Sequence, residues 1–217
     1  MPRHPVFTDE LLDAALGDGV ALPTSGRPMR WFHQGWLEAL TRSPVWSPYA
    51  IGLPAVTALA WAGPLSPGAA AVGALTWTFA EYALHRFIFH FPPTTDVRKV
   101  VTFILHRHHH RDPGGTDRLA ATPGQAAGLL VPLAAVAHTA DPTDWTAFTF
   151  GLVAAWVAYE ALHYSHHHSN SRLLRPLRAH HLRHHHPDPA HDFGISSPLW
   201  DWLLRSDGGQ RTHSEQG

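Results

Sequence analysis

The stretch EYALHRFIFH, residues 81–90, begins as apolar helix and ends in two histidines, with a glutamate one turn upstream and an arginine between. It closes the apolar run GAAAVGALTWTFAEYAL (68–84), one of four such runs. The others are WSPYAIGLPAVTALAWAG (46–63), TPGQAAGLLVPLAAVA (122–137) and WTAFTFGLVAAWVAYEAL (145–162), and none of the four contains Lys, Arg or Asp. About 18 helical residues rise roughly 27 Å, close to the thickness of a hydrocarbon core. Four transmembrane helices in two hairpins are therefore expected. Trp46, Trp61, Trp77, Trp145 and Trp156 lie in or at the ends of the runs, where several would meet lipid headgroups.

Charge placement favours this reading over a soluble four-helix bundle. Four crossings put the connections 63–68 and 138–144 on one side, and the N-terminal segment, residues 85–121 and residues 163–217 on the other. All sixteen Lys and Arg fall on the second side, as does every histidine except His138. A membrane orients its helices in this way, with the basic side cytoplasmic; a soluble bundle has no reason to sort its charges. The expected architecture is all-α: a cytoplasmic segment over 1–43, then a membrane-embedded domain over 44–217 whose His-rich helical cap holds a two-metal centre. Both termini and the active site are expected on the cytoplasmic face.

Composition narrows the chemistry. A chain of 217 residues with net charge −1 and only 15% charged residues has no broad basic footprint, so nucleic acid is not an expected partner. Without cysteine there are no disulfides, thiolate ligands or Cys nucleophile. The opening MPRHPVFTDELLDAALGDGV shows no basic start followed by an apolar run, so no signal segment is expected. Usage rich in Ala, Arg and Pro and poor in Lys points to a bacterial cytoplasmic membrane.

What remains is histidine, twenty of them. Four clusters stand out: His85 and His90; His106, His109 and His110 from HRHHH; His163 and His167 from HYSHH; and His181, His184 and His185 from HLRHH. Residues three and four apart share a helix face, so each of the last three clusters is expected to aim its rings in one direction. His90 is five residues past His85, a rotation of about 140°. With Pro92 beyond it, His90 is expected at or past a bend. Ten imidazoles give two ions about five ligands each, which suits iron better than four-coordinate zinc, although zinc can occupy such a site in purified protein. His4, His33, His138 and His213 are isolated, and His108, His166, His168, His180, His186 and His191 stand beside the clusters without an assigned role. Glu81 and Glu160, near the ends of apolar helices, are expected to accept the outer ring N–H of a ligand histidine. FAEYALHRF (79–87) also echoes VAYEALHYS (157–165), as two related hairpins would.

With EYALHRFIFH, HRHHH, HYSHH, HHLRHH and the closing FGISSPLWD (193–201), the region 76–202 resembles the fatty acid hydroxylase and sterol desaturase superfamily, nearest to the fatty acid 2-hydroxylases. The resemblance implies that the ten histidines named above hold two iron ions. It further implies that dioxygen is activated with electrons from a redox partner and that one oxygen atom enters a C–H bond of a lipid chain. Residues 1–43 are too short for a fused haem-binding domain, so a separate electron-transfer protein is expected. The substrate-lining residues are unknown; Phe87, Phe89 and Trp200 are the guesses, and FGISSPLWDW is expected to fold back over the site. A carotenoid or sterol substrate, desaturation in place of hydroxylation, and a non-enzymatic membrane metal protein are the alternatives.

Overall fold

A computed structural model describes residues 4–17, 28–141, 143–185 and 190–208. His186 and His213 lie outside the described residues. The described chain is helical, and its one β-feature is an isolated antiparallel bridge between Phe7 and Phe32. Four long helices coincide with the four apolar runs: α3 (Ser47–Ala62), α4 (Pro67–Leu84), α7 (Pro123–Ala140) and α8 (Trp145–His168). Their starts are written locally. Ser66 and Thr122 accept from the backbone N–H three residues on, each is followed by a proline in the first turn, and Thr122 forms a reciprocal capping box with Gln125.

Helices α4 and α8 form the central pair, and they approach to backbone contact at two glycines. A Cβ on Gly73 would stand 1.9 Å from the carbonyl oxygen of Phe148, and one on Gly151 would stand 1.9 Å from that of Ala70. Only hydrogen fits at either place, the close approach that small residues allow between helices. Trp77, Ala126, Leu152, Val153 and Trp156 fill the core around this crossing. Of the four helices, only α8 is long and apolar enough to cross a membrane by length and composition. Helix α3, with 16 residues, is too short, and α4 and α7, with 18 residues each, fall short in composition.

The remaining elements make a cap at the C-terminal ends of α4 and α8. These are α1 (Asp9–Leu16), α2 (Gly35–Leu40), α5 (Asp96–Thr102), the short α6 (His108–Arg111), α9 (Arg175–His184) and α10 (Leu199–Leu203). The described part of the N-terminal segment is built into this cap and is not a separate appendage. Leu11, Ala14, Ala15, Met29 and Trp31 form one core with Val100 and Phe103. Glu38 accepts from the N–H groups of Trp31 and Phe32 and pairs with Arg42 and Arg118, tying α2 to the loop after α6.

Candidate metal centre

The histidines gather in two groups. His85, His90, His106, His110 and His184 present ligand nitrogens all within 4.8 Å of one another, and so do His109, His167, His181 and His185. His163 joins the second group, its Nε2 lying 3.0 Å from Nε2 of His109. All ten sequence-predicted histidines are thus brought to one place. Their contacts run Nε2 to Nε2: His85–His106 at 2.8 Å, His106–His110 at 3.0 Å and His90–His184 at 2.9 Å in the first group. In the second, His167–His181 is 2.9 Å and His181–His185 is 3.1 Å.

These separations test whether metal ions fit. Two neutral rings facing through Nε2 share at most one proton, so a ring of such contacts leaves lone pairs opposed unless a cation lies among them. Nitrogens about 2.1 Å from an ion are about 3.0 Å apart at right angles and about 3.4 Å apart in a tetrahedron. The observed 2.8–3.1 Å matches right-angled ligation. The two groups could each hold a metal ion of five or six coordination.

The grouping corrects one expectation. HRHHH and HHLRHH do not each aim at one ion; each straddles both. The pairs four apart, His106 with His110 and His181 with His185, stay together, while the intermediate His109 and His184 go to the other group. Four steps on a helix turn a side chain by only about 40°, whereas three steps fall about 60° on the opposite side. A cluster lying between two ions therefore divides. His90 stands at the bend, as the residue that ends its helix. Residues His85–Phe89 form a π-helical turn in which the His90 N–H donates to the His85 carbonyl at 3.1 Å, so residues five apart share a face. A second π-helical turn, Phe103–Arg107, carries His106.

The outer nitrogens fix the rings. Nδ1–H of His85 donates to the Phe193 carbonyl at 2.5 Å, and Nδ1–H of His184 to the His191 carbonyl at 2.8 Å, which leaves Nε2 of both as a free lone pair. Burial, reinforced by the neighbouring imidazoles, holds the rings uncharged. It lowers His90 and His185 to about 3 and takes His106, His109 and His181 well below the usual histidine range. His184 is lowered by burial to about 4, with the His191 carbonyl opposing. Neutral imidazole at pH 7 is the form that ligates.

Glu81 and Glu160 are placed otherwise than expected, for neither accepts from a ligand histidine. Glu81 takes the N–H groups of Ile195 (2.5 Å) and Ser196 (2.8 Å) and the Ser196 hydroxyl. Glu160 takes the Trp156 indole N–H (3.1 Å) and the Ala121 N–H (3.2 Å). Backbone N–H groups of incoming segments satisfy these buried carboxylates, while carbonyls brace the rings. The segment 193–201 does fold against the site, and the residue that shapes it, Asp201, was quoted only as part of a motif. Fully buried, Asp201 accepts from the N–H groups of Phe193 (2.9 Å) and Gly194 (2.7 Å) and faces Nε2 of His180 at 3.0 Å. His180 is thereby a brace with Asp192 and Arg183. His166 turns to the Ile195 carbonyl, His108 packs on Trp31, and His168 stacks on Tyr164.

A cavity of about 380 Å³ opens beneath the histidines between α4, α7 and α8. His85, His106, His109 and His163 form its roof, so it touches both groups; Trp77, Leu84, Ile88, Phe89, Leu129 and Trp156 supply apolar wall, and Glu81, Glu160 and Arg118 are its ionisable members. Of the three lining guesses only Phe89 is there. Phe87 is 54% exposed on the outer face, and Trp200 packs on Phe79 with its indole N–H on the Thr78 hydroxyl, because the π-turn and α10 face them outward.

A family model described as fatty acid hydroxylase matches residues 70–206. A dihydroceramide fatty acyl 2-hydroxylase of Arabidopsis thaliana is 35% identical over 182 residues, covering 79% of this chain and 77% of that one. The fatty acid 2-hydroxylase of Homo sapiens is 30% identical over 213 residues, covering 83% of this chain and 57% of that one, so the chain spans little more than half the human protein's length. The solved structure of full-length scs7p, in which only the hydroxylase domain is visible, matches with a TM-score of 0.70 at 30% identity over 79% of this chain and 69% of that chain.

Proposed function

The chain belongs to the fatty acid hydroxylase family, and from that premise we propose that it is a membrane enzyme that hydroxylates a lipid acyl chain at the carbon next to the carbonyl, as the names of its relatives imply for them. The observation that carries this reading is the shared boundary: one apolar cavity is roofed by histidines of both groups. An acyl chain in it would have a single stretch of methylene within reach of either ion.

The ten histidines hold two iron ions in this reading, favoured over tetrahedral zinc by the right-angled nitrogen spacing. When bound, the iron pair supplies the redox chemistry by which dioxygen is reduced and one of its oxygen atoms enters a C–H bond. Two electrons and two protons per turnover accompany the second oxygen atom to water, and a separate electron-transfer protein delivers the electrons. The chain's own residues do the placing. Trp77, Leu84, Ile88, Phe89 and Leu129 exclude water and hold the substrate straight. Phe193 and His191 keep His85 and His184 aimed inward through their carbonyls, and Glu81 pins residues 195–196 against the back of the first group.

Four membrane crossings in two hairpins belong to the same reading. Ile51, Leu53 and Trp61 on α3, Val72, Leu75 and Phe79 on α4, and Val131 and Val136 on α7 are all exposed, a covering that water would oppose and lipid would accept. Helix α4 continues into the π-turn without a break, carrying His85 and Arg86 beyond the end of its apolar run. The cap, on the side to which the sequence order of the four runs assigns the basic residues, lies on the cytoplasmic face in this reading.

Expression in cells with added iron, followed by mass spectrometry of the lipids, tests the proposal. Wild-type chain is expected to yield 2-hydroxyacyl lipids, and His163→Ala is expected to yield none while still inserting in the membrane. A lipid profile unchanged by the wild-type chain, in a host supplying a competent reductase, rejects the hydroxylase reading.

A further inference from the structure

Arg118 borders the cavity, yet nothing in the metal centre uses it. Its side chain is only 4% exposed and its guanidinium is clamped. Nη1 donates to the Met29 carbonyl at 2.9 Å and to Asp117 at 3.1 Å; Nη2 donates to Glu38 at 2.7 Å and to the Thr41 hydroxyl at 3.5 Å. The plane rests on the Trp31 ring, 3.9 Å from its centre. Four of the five N–H groups are therefore committed, and the fifth, on Nε, is buried with no hydrogen-bond partner among the described residues. A guanidinium held at both ends and across its face cannot turn to pair that N–H, so a partner must come to it.

Charge narrows what the partner is. Arg42 bonds Glu38 at 2.7 Å and Asp117 at 3.1 Å, so two carboxylates already balance the two guanidinium groups. The site offers one directed N–H and no surplus positive charge. An uncharged carbonyl oxygen is the matching acceptor.

We propose that Nε–H of Arg118 binds the carbonyl oxygen of an uncharged acyl lipid, an N-acyl amide or ester and not a free fatty acid, and thereby selects the neighbouring carbon for hydroxylation. The inference rests on the hydroxylase reading and adds its substrate anchor. His109 and His163 roof the cavity that Arg118 borders, so a chain pinned there at its carbonyl holds C2 closer to the anchor than any later methylene.

The test uses the full chain in cells that lack their own lipid 2-hydroxylase. They are fed a saturated long-chain dihydroceramide, its analogue with the amide carbonyl replaced by methylene, or the free fatty acid. Positional isomers of the products are separated by mass spectrometry. With unaltered chain, dihydroceramide is expected to give the 2-hydroxy product, the free acid at least tenfold less, and the methylene analogue a mixture of positions. This arm needs no folded variant. Arg118→Met is expected to cut the 2-hydroxy product about tenfold to a hundredfold, the loss of one hydrogen bond from a charged donor, and to spread what remains over neighbouring carbons at unchanged metal content. Glu38→Gln weakens the clamp but leaves Nε–H in place, so its product is expected to stay at C2. The inference is overturned if the methylene analogue is still hydroxylated at one position, if the free acid is preferred, or if Glu38→Gln scatters the products as Arg118→Met does. If wild type makes no hydroxylated lipid from any of the three, the hydroxylase reading itself falls and takes this anchor with it.

Discussion

The two histidine groups use the same ligand chemistry but are held in different ways. In the first, outer nitrogens of His85 and His184 are fixed by the carbonyls of Phe193 and His191, so residues 190–201 act as a brace over the π-turn. In the second, Nδ1 of His163, His181 and His185 is buried and has no hydrogen-bond partner among the described residues. Those rings are oriented by packing on one another, His163 on His181 at 5.1 Å and His181 on His185 at 4.7 Å between centres. The contrast separates two ways of organising a metal site. A braced group is preorganised before metal arrives, whereas the other takes its final order from the ion.

The largest effect should come from crossing the boundary between the groups. His109→Ala and His110→Ala alter adjacent residues that serve different groups, and each is expected to remove one of two metals and cut product on the order of a thousandfold. Metal analysis finding both variants depleted at the same group would break the assignment. Second, stepwise chelation is expected to be biphasic, with the unbraced group releasing its metal first at an affinity about 10- to 100-fold weaker; a single phase would make the two equivalent. Third, Glu81→Gln loosens residues 195–196 and should bring the first group's metal affinity about tenfold closer to the second's, read in the same titration.

Two smaller effects concern the scaffold. Gly151→Ala drives a methyl into the Ala70 carbonyl at the crossing of α4, which leads into His85, and α8, which carries His163. A loss of about 1–3 kcal/mol in stability is expected, seen as a lower thermal midpoint. Acid acts on the metal-free protein. His90, His184 and His185 have folded-state values of about 3, 4 and 3, below the unfolded value near 6.5, so the unfolded chain takes up protons first. Stability is full above pH 6.5 and lost as pH falls from there toward 3, at less than about 1 kcal/mol per ring between pH 7 and pH 6. A midpoint that is flat or rises on acidification would contradict the buried, uncharged rings.

Much of this architecture was legible in the order of residues. The four apolar runs became α3, α4, α7 and α8, with starts matched to within one residue and α8 running six residues further at its end, because their composition and the Ser66 and Thr122 caps are local signals. The echo between 79–87 and 157–165 became Glu81 and Glu160 bordering one cavity, with His85 and His163 in its roof. The π-turns were not legible, since nothing in HRFIF or FILHR distinguishes an i+5 hydrogen bond from an i+4 one before the histidines are drawn together. Nor were the partners of Glu81 and Asp201, whose bonds join residues 81 and 195 or belong to a loop without periodicity.

By itself the sequence determined that this protein is helical, that its basic residues sort to one end of apolar helices, and that ten spaced imidazoles stand ready for metal. Periodicity, caps and composition act over one or two turns and need no partner. Only the tertiary structure decided which ring serves which group, what braces it, and that Arg118 borders the cavity with one N–H to spare. Those outcomes depend on rotations of about 100° per residue meeting surfaces from elsewhere in the chain, and a difference of one step along a helix sends a ring to a different ion.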